Sequence, residues 1–413
     1  MNKEMLRKLK PTILMGVISL IVLVAFGLIG REGDVTFEIS RRLDVFQIPG
    51  FTIGSKVLGT LAGFAMLALA FLSLVVKRGA GRVRILIVAA FSALAVLSLL
   101  GWLATGNSVP LAFIIGTSVA YAAPLMLGAM SGIMSERVGV TNIAIEAQFL
   151  GGAFVSAIVA TLTGSYVLAL TSAIAAGMLI ASILALFAVK YLAQQIIVGV
   201  VLNVLVIGIT NFLYQQWLTK DAENVNFPGT MEIIKIPFLS DIPILGPVFF
   251  ENRATVFLAL IGIPTLWFLL FRTKVGLRAR AVGEHPLAAD TVGINVRRTR
   301  FLWVTLGGAF AGVGGAALTI GGGGAFGREM SGGLGFIALA VVILGKWNPI
   351  YAGLAALLFG FSIILRIWAN QVSPGIPTDF IAILPYVVTV LAVAGFVGRS
   401  RPPKALAVPY TKG

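Results

Sequence analysis

Long stretches of this chain carry no charged residue, and their lengths set the architecture. Residues 11–30, 57–76, 191–219, 301–327 and 380–398 are uncharged, and so are 85–135, over 51 positions, and 147–189, over 43. A membrane helix needs about 20 mostly apolar residues to cross about 30 Å of hydrocarbon, so each of the two longest runs holds two spans. Alternating strands of about ten residues, the mark of a membrane β-barrel, are absent from the sequence. The pattern predicts an all-α, polytopic integral membrane protein with about 10–12 transmembrane helices. The expected crossings are 11–30, 57–76, 85–104, 109–134, 143–163, 166–189, 195–217, 254–271, 301–322, 336–345, 350–368 and 380–397. The 336–345 segment is short and the 321–335 stretch is rich in glycine, which predicts a broken or re-entrant helix there.

Composition agrees with this reading: of 413 residues, 58% are hydrophobic and 11% charged, less than half the charge of an ordinary soluble domain. The net charge of +15 would draw a soluble protein to nucleic acid, but here its distribution follows topology, and no nucleic-acid partner is expected. With residues 1–10 placed inside, 22 of the 31 basic residues fall in inside loops and 11 of the 16 acids in outside loops. That bias obeys the positive-inside rule and predicts cytoplasmic N- and C-termini. The start, MNKEMLRKLK before an apolar run, lacks a small-residue cleavage site and predicts an uncleaved first span. Of the longer outside segments, 31–56 has balanced charge, and 218–253 suits short strands, an interfacial helix or a plain loop. Cysteine is absent and His285 is the single histidine, so thiolate or histidine metal clusters are not expected.

Between two spans lies the basic strip RARAVGEHPLAADTVGINVRRTR (278–300). Leu277, Ala281, Leu287, Ala288, Val292 and Ile294 recur at roughly helical spacing, among Arg278, Arg280, Glu284 and Asp290. Pro286 suits the first turn of a helix and Gly293 its end, which predicts a short amphipathic helix from about Pro286 to Val292. Arginines flanking such a helix fit either a membrane-surface loop held by anionic lipid or a docking element for a cytoplasmic partner.

Ala288-Ala289-x-x-x-Gly293 resembles the end of the Glu-Ala-Ala-x-x-x-Gly loop of ABC importer permeases, with Leu287 in the place of the glutamate. The longer string LRARAVGEHPLAADTVGI (277–294) is similar to the coupling segment of permeases for nucleosides and simple sugars, relatives of the ribose and branched-chain amino-acid permeases. Three other stretches resemble the same family: SGIMSERVGVTNIAIEAQFLGGAF (131–154), GLGFIALAVVILGKWNPIYAG (333–353) and the terminal LPYVVTVLAVAGFVGRSRPPKALAVPY. Together they cover most of residues 110–410 in order, while the first 105 residues resemble nothing specific. The organisation expected is therefore N-terminal extra helices (1–105), a permease core (106–398) with its coupling segment at 272–300, and a basic cytoplasmic tail (399–413).

The resemblance implies the membrane subunit of an ATP-driven importer in the cell membrane. An ABC ATPase subunit would dock from the cytoplasm. A second, related permease would complete the pathway, and an extracellular lipoprotein or periplasmic binding protein would deliver substrate. The chain contains no Gly-x-x-x-x-Gly-Lys-Ser/Thr phosphate loop, so ATP and Mg²⁺ are expected on the partner ATPase and no cofactor here. Coupling is expected from Arg280, Glu284, Pro286, Leu287, Ala288, Ala289 and Gly293. The Trp-Asn-Pro block, the Leu-Pro-Tyr span and the basic Pro-Pro tail favour a nucleoside as substrate, with a simple sugar such as ribose or galactose as the alternative.

Ionisable and amide groups at membrane depth are functional candidates by default. Asn142 and Glu146 are four residues apart, which would put them on one helix face, with Gln148 close by. They fit either a face for ribose hydroxyls and base edges or interhelical bonds that fix a broken helix starting near Gly139. Asn203 and Asn211 lie two turns apart on one span, and suit pathway lining or packing equally. Phe336 and Trp347 offer aromatic faces for a base or for the core. Glu146 as the coupling carboxylate of an ion-driven secondary carrier is the competing class of function. An enzyme is disfavoured, because no nucleophile–base arrangement is evident.

Overall fold

The computed structural model describes residues 3–41, 44, 46–76, 81–372 and 401–411, and it is 72% helical. The span expected at 380–397 lies outside the described residues. Two compact units divide the chain, the first comprising Met1–Thr117, Pro237–Val248 and Ser362–Gly398, and the second Ser118–Ile236, Phe249–Phe361 and Arg399–Gly413.

In the first unit, α1 (Lys3–Ile21) continues as a π-helical stretch, Val22–Leu28. Then come β1 (Asp34–Glu38), β2 (Phe51–Gly54), α2 (Ser55–Val75), α3 (Gly81–Leu103) and β3 (Ser108–Pro110). Met15, Val22, Met66, Ala70, Ile87 and Phe91 form the core between the three helices. The strands make a small sheet in the order β2-β1-β3, antiparallel on one side of β1 (Val35 opposite Ile53) and parallel on the other (Phe37 opposite Val109). Val35 and Phe37 point inward and are fully buried, while Thr36 hydrogen-bonds Thr52 across the outer face. This alternation is ordinary for a half-buried strand, but the interspersed charges of 31–56 hid it in the sequence. An otherwise all-α reading therefore gains a small sheet, and in 218–253, where short strands, an interfacial helix or a plain loop were all open, two residue pairs join two short strands.

Helix α4 (Leu111–Glu136) starts in the first unit and ends in the second. The second unit continues with α5 (Ile145–Thr163), α6 (Tyr166–Ala185), α7 (Gln195–Leu213) and the single turn α8 (Ala222–Val225). A two-residue pairing of β4 (Ile234–Lys235) with β5 (Glu251–Asn252) precedes α9 (Ala254–Arg272), α10 (Lys274–Glu284), α11 (Pro286–Thr291), α12 (Val296–Leu318), α13 (Leu334–Leu344) and α14 (Pro349–Val372). Among the described residues nine helices are long and apolar enough to cross a membrane, and Thr12–Leu28 and Leu334–Leu344 are shorter apolar helices. The expected crossing at 336–345 is the 11-residue α13, which at 1.5 Å per residue covers about 16 Å, roughly half the hydrocarbon thickness.

Helices α5, α6 and α12 pack with almost no side chain between them. A Cβ on Gly177 of α6 would lie 2.2 Å from the Gly308 carbonyl oxygen of α12, and one on Gly312 would lie 2.1 Å from that of Ala173. Lipid supplies no hydrophobic drive for helices to associate, so close backbone approach at small residues supplies the van der Waals contact instead. Replacing Gly177 with leucine should therefore abolish a monodisperse peak in detergent size-exclusion chromatography. In contrast, Gly208→Ala on α7, where a Cβ meets nothing within 4 Å, should leave the peak unchanged and the melting temperature equal or slightly higher.

Candidate functional site

At the centre of the second unit, two helices begin against one carboxylate. Glu146 sits in the first turn of α5. Its Oε1 accepts from Ser331 Oγ (2.6 Å) and the Gly333 amide (2.9 Å), and its Oε2 accepts from the Gly335 amide (2.7 Å). Gly333, in the left-handed region at φ +84°, is the N-cap of α13. The carboxylate thus satisfies amides that the helix cannot satisfy itself, and it lies where both helix dipoles are positive. Approach is close: a Cβ on Gly335 would fall 2.4 Å from the Glu146 amide nitrogen. Glu146 is 4% exposed. From this junction α13 covers about 16 Å to its other end, roughly half the thickness of a hydrocarbon layer.

Asn203 on α7 performs the matching task for α5, accepting from the Ala147 amide (2.9 Å) and donating to the Ile143 carbonyl (2.9 Å). Asn142 does not share a helix face with Glu146, which corrects the sequence expectation. The chain turns at Gly139 (φ +88°), has no regular structure over 140–142, and starts α5 only at Ile145. Gln195, whose Oε1 accepts from the Thr141 amide (2.8 Å), helps hold that segment. Asn142 instead pairs with Gln148 (Gln148 Nε2 to Asn142 Oδ1, 3.2 Å), and Ser131 bonds both. Asn211 donates to Glu329 (3.0 Å) on the loop before α13. Phe336 lies half-exposed on α13.

Trp347 belongs to a second cluster. It is buried, with φ +55°, and its indole N–H donates to Glu136 while its carbonyl accepts from Arg137 Nε and Nη2 (2.9 and 2.7 Å). Its side chain and its backbone are both engaged at the end of α4. The guanidinium of Arg137 also lies over Phe271 of α9 (5.6 Å), and Arg280 of α10 lies over the same ring (5.1 Å). Burial lowers the Arg137 pKa, with the Glu284 carboxylate opposing and Arg280 reinforcing the shift. A Cβ on Gly283 would lie 2.1 Å from the Arg137 carbonyl oxygen, so α10 is seated directly on the turn that joins α4 to α5.

The expected short helix is present as α11, with Pro286 in its first turn and Gly293 (φ +83°) just past its end. Ala289 is buried beneath it, whereas Leu287 (63% exposed), Val292 (74%), Ala288 and Glu284 face outward. Residues not singled out in the sequence complete the picture: Ser331, Gly333 and Gly335 as partners of Glu146, Gln195, and Arg253, which donates to the Met231 and Gly321 carbonyls. Only the Ser331-Gly-Gly-Leu-Gly335 run hinted at the first three, because close approach and positive φ both call for glycine.

Residues 114–393 match a family model described as branched-chain amino acid transport system / permease component. The guanosine ABC transporter permease protein NupQ of Bacillus subtilis is 41% identical over 312 residues, covering 73% of this chain and 98% of that protein. The nucleoside ABC transporter permease protein NupC of Lactococcus lactis is 38% identical over 313 residues, with the same coverage. TsgC13 of Haloferax volcanii, provisionally described as a glucose ABC transporter permease protein, is 35% identical over 260 residues, covering 63% of this chain and 78% of that protein. No solved structure matches the chain significantly.

The Glu146 junction makes a clear prediction. Glu146→Gln would set an amide N–H₂ against N–H donors, leaving buried groups unsatisfied at about 1–3 kcal/mol. Its melting temperature in detergent should fall well below that of the parent, and Asn203→Leu should lower it similarly. A parent-like melting curve for Glu146→Gln would remove the capping role.

Proposed function

The chain belongs to the family of branched-chain amino acid transport system permease components, and from that membership we propose that it carries a nucleoside through the cell membrane as part of an ATP-driven importer. It is a multi-pass transporter subunit and not an enzyme. The substrate reading is carried by one observation, the 41% and 38% identity to permeases named for guanosine and nucleosides over 98% of their length. A simple sugar is the weaker reading, supported by lower identity and shorter coverage.

In this proposal the partner ATPase binds ATP and Mg²⁺ and receives α11 in a groove on its surface. A second, related permease completes the pathway, an external lipoprotein or periplasmic protein delivers the substrate, and membrane lipid surrounds the spans. The exposed apolar face of Leu287, Ala288 and Val292, standing at the arginine-rich end of the unit, supports the docking role. Leu287, in place of the family glutamate, makes that face more apolar. Closure of the ATPase would move α10 and α11 as a block. Because α10 bears on the Arg137 turn, and Arg137 and Glu136 hold Trp347 just past the end of α13, the displacement reaches the Glu146 junction. Discontinuous helices within the membrane are a common way for transporters to place a gate near the substrate path. Phe336 and Asn211, both beside the junction, remain available to substrate in this scheme.

Uptake into vesicles holding this chain with its partner subunits should require ATP, and unlabelled guanosine should compete with labelled nucleoside while ribose and galactose do not. Uptake driven by a pH or sodium gradient without ATP would defeat the importer reading, and competition by sugars alone would defeat the substrate. Ala288→Arg should leave the protein inserted but lose the ATPase on co-purification.

A further inference from the structure

The last described segment of the chain, residues 401–411, lies folded against the coupling region. Pro403, Ala405 and Tyr410 are buried. Three hydrogen bonds tie the tail to three different elements. The Ala405 amide donates to the Gly283 carbonyl at the end of α10 (2.9 Å), and the Ala407 amide to the Gly139 carbonyl in the turn before α5 (3.2 Å). Arg300 of α12, 2% exposed, donates from Nη1 to the Val408 carbonyl (2.9 Å). Contact is tight, because a Cβ on Gly139 would lie 2.8 Å from the Ala405 carbonyl oxygen and 2.9 Å from Arg300 Nη2. Tyr410 stands beside Asp290 of α11, and burial together with that carboxylate raises its phenol pKa against the opposing pull of Arg297 and Arg300. Between Tyr410 and the turn from Asp290 to Arg297 lies a cavity of about 420 Å³. The tail therefore fastens the coupling block at its ends and leaves room beneath the α11–α12 turn.

We propose that residues 403–410 are a strap that makes the coupling helices and the Gly139 turn move as one body, with Arg300 and Tyr410 as its positioning residues. The proposal rests on the docking role of α11. Without the strap, α10 would meet the turn through the Gly283–Arg137 contact, the Glu284 charge and the Phe271 stack, and a push on α11 would be spent on bending the α10–α11 joint at His285. The strap thereby governs how much of each ATPase stroke reaches the membrane helices.

The test uses the complete complex in vesicles, measuring ATP hydrolysis, substrate uptake and ATPase co-purification for each variant. A chain ending at Arg401 and the Tyr410→Ala variant should keep the ATPase and go on hydrolysing ATP. Uptake per ATP should fall on the order of tenfold, the scale at which substitutions along a coupled network act. Arg300→Met, which removes every donor, should behave in the same way, and Arg300→Lys, which retains one, should recover most of the ratio. An unchanged uptake-to-ATP ratio in the shortened chain overturns the strap, as does loss of the ATPase from it, which would make the tail a docking contact. If the shortened chain does not accumulate, Tyr410→Ala decides on the same ratio. The docking role is judged separately by co-purification of Ala288→Arg, so failure of that reading is distinguishable from failure of the strap.

Discussion

The second unit depends on two helix starts being capped by side chains from elsewhere, α13 by the Glu146 carboxylate and α5 by the Asn203 amide. A helix that begins within hydrocarbon leaves amide groups that water cannot reach, each costing several kcal/mol if left unpaired. Glu146 accepts from two amides and the Ser331 hydroxyl at the start of α13, and Asn203 accepts from one amide at the start of α5. Once these are satisfied, α4 can end at Glu136, α5 can begin nine residues later, and α13 can be only 11 residues long. Each break in the helical ladder then has a specific partner, and the breaks become joints instead of defects.

Around the joints, the rigid part of the unit is made from small residues. Gly177, Gly308 and Gly312 bring the α6 and α12 backbones together so closely that a single methyl would collide with a carbonyl. Large side chains such as Val204, Leu205 and Ile209 are turned to the outside, where lipid solvates them. Small residues thus make the close α5–α6–α12 contact, and bulky side chains such as Phe149, Leu150 and Phe326 fill other parts of the interior.

The spans were legible in the sequence because uncharged runs report hydrocarbon thickness directly, and α11 was legible because Pro286 and Gly293 bound it chemically. Short-range periodicity failed where the backbone leaves the helix. Asn142 and Glu146 have helical spacing, but the left-handed turn at Gly139 delays α5 until Ile145, so their side chains go to different partners. The sheet in 31–56 was missed for another reason: its alternation of Val35 and Phe37 with polar neighbours lies in a segment whose charge balance gives no sign of a buried face. The roles of Ser331, Gly333, Gly335 and Ala405 depend on contacts across more than 100 residues of sequence, which no local pattern contains. Of the expected pathway residues, Asn142 and Gln148 bond each other, and Asn203 bonds the backbone at the start of α5.

That occupancy also bears on mechanism. A carboxylate that couples an ion gradient to transport must exchange its partners during each cycle, binding the ion in one state and releasing it in another. Glu146 is buried, and all its described partners are groups that hold α13 in place. Releasing them to take up a proton or a sodium ion would uncap the helix in hydrocarbon, where no water replaces the lost bonds. The chemistry of the joint thus favours a permanent cap over a carboxylate that exchanges its partners in every cycle.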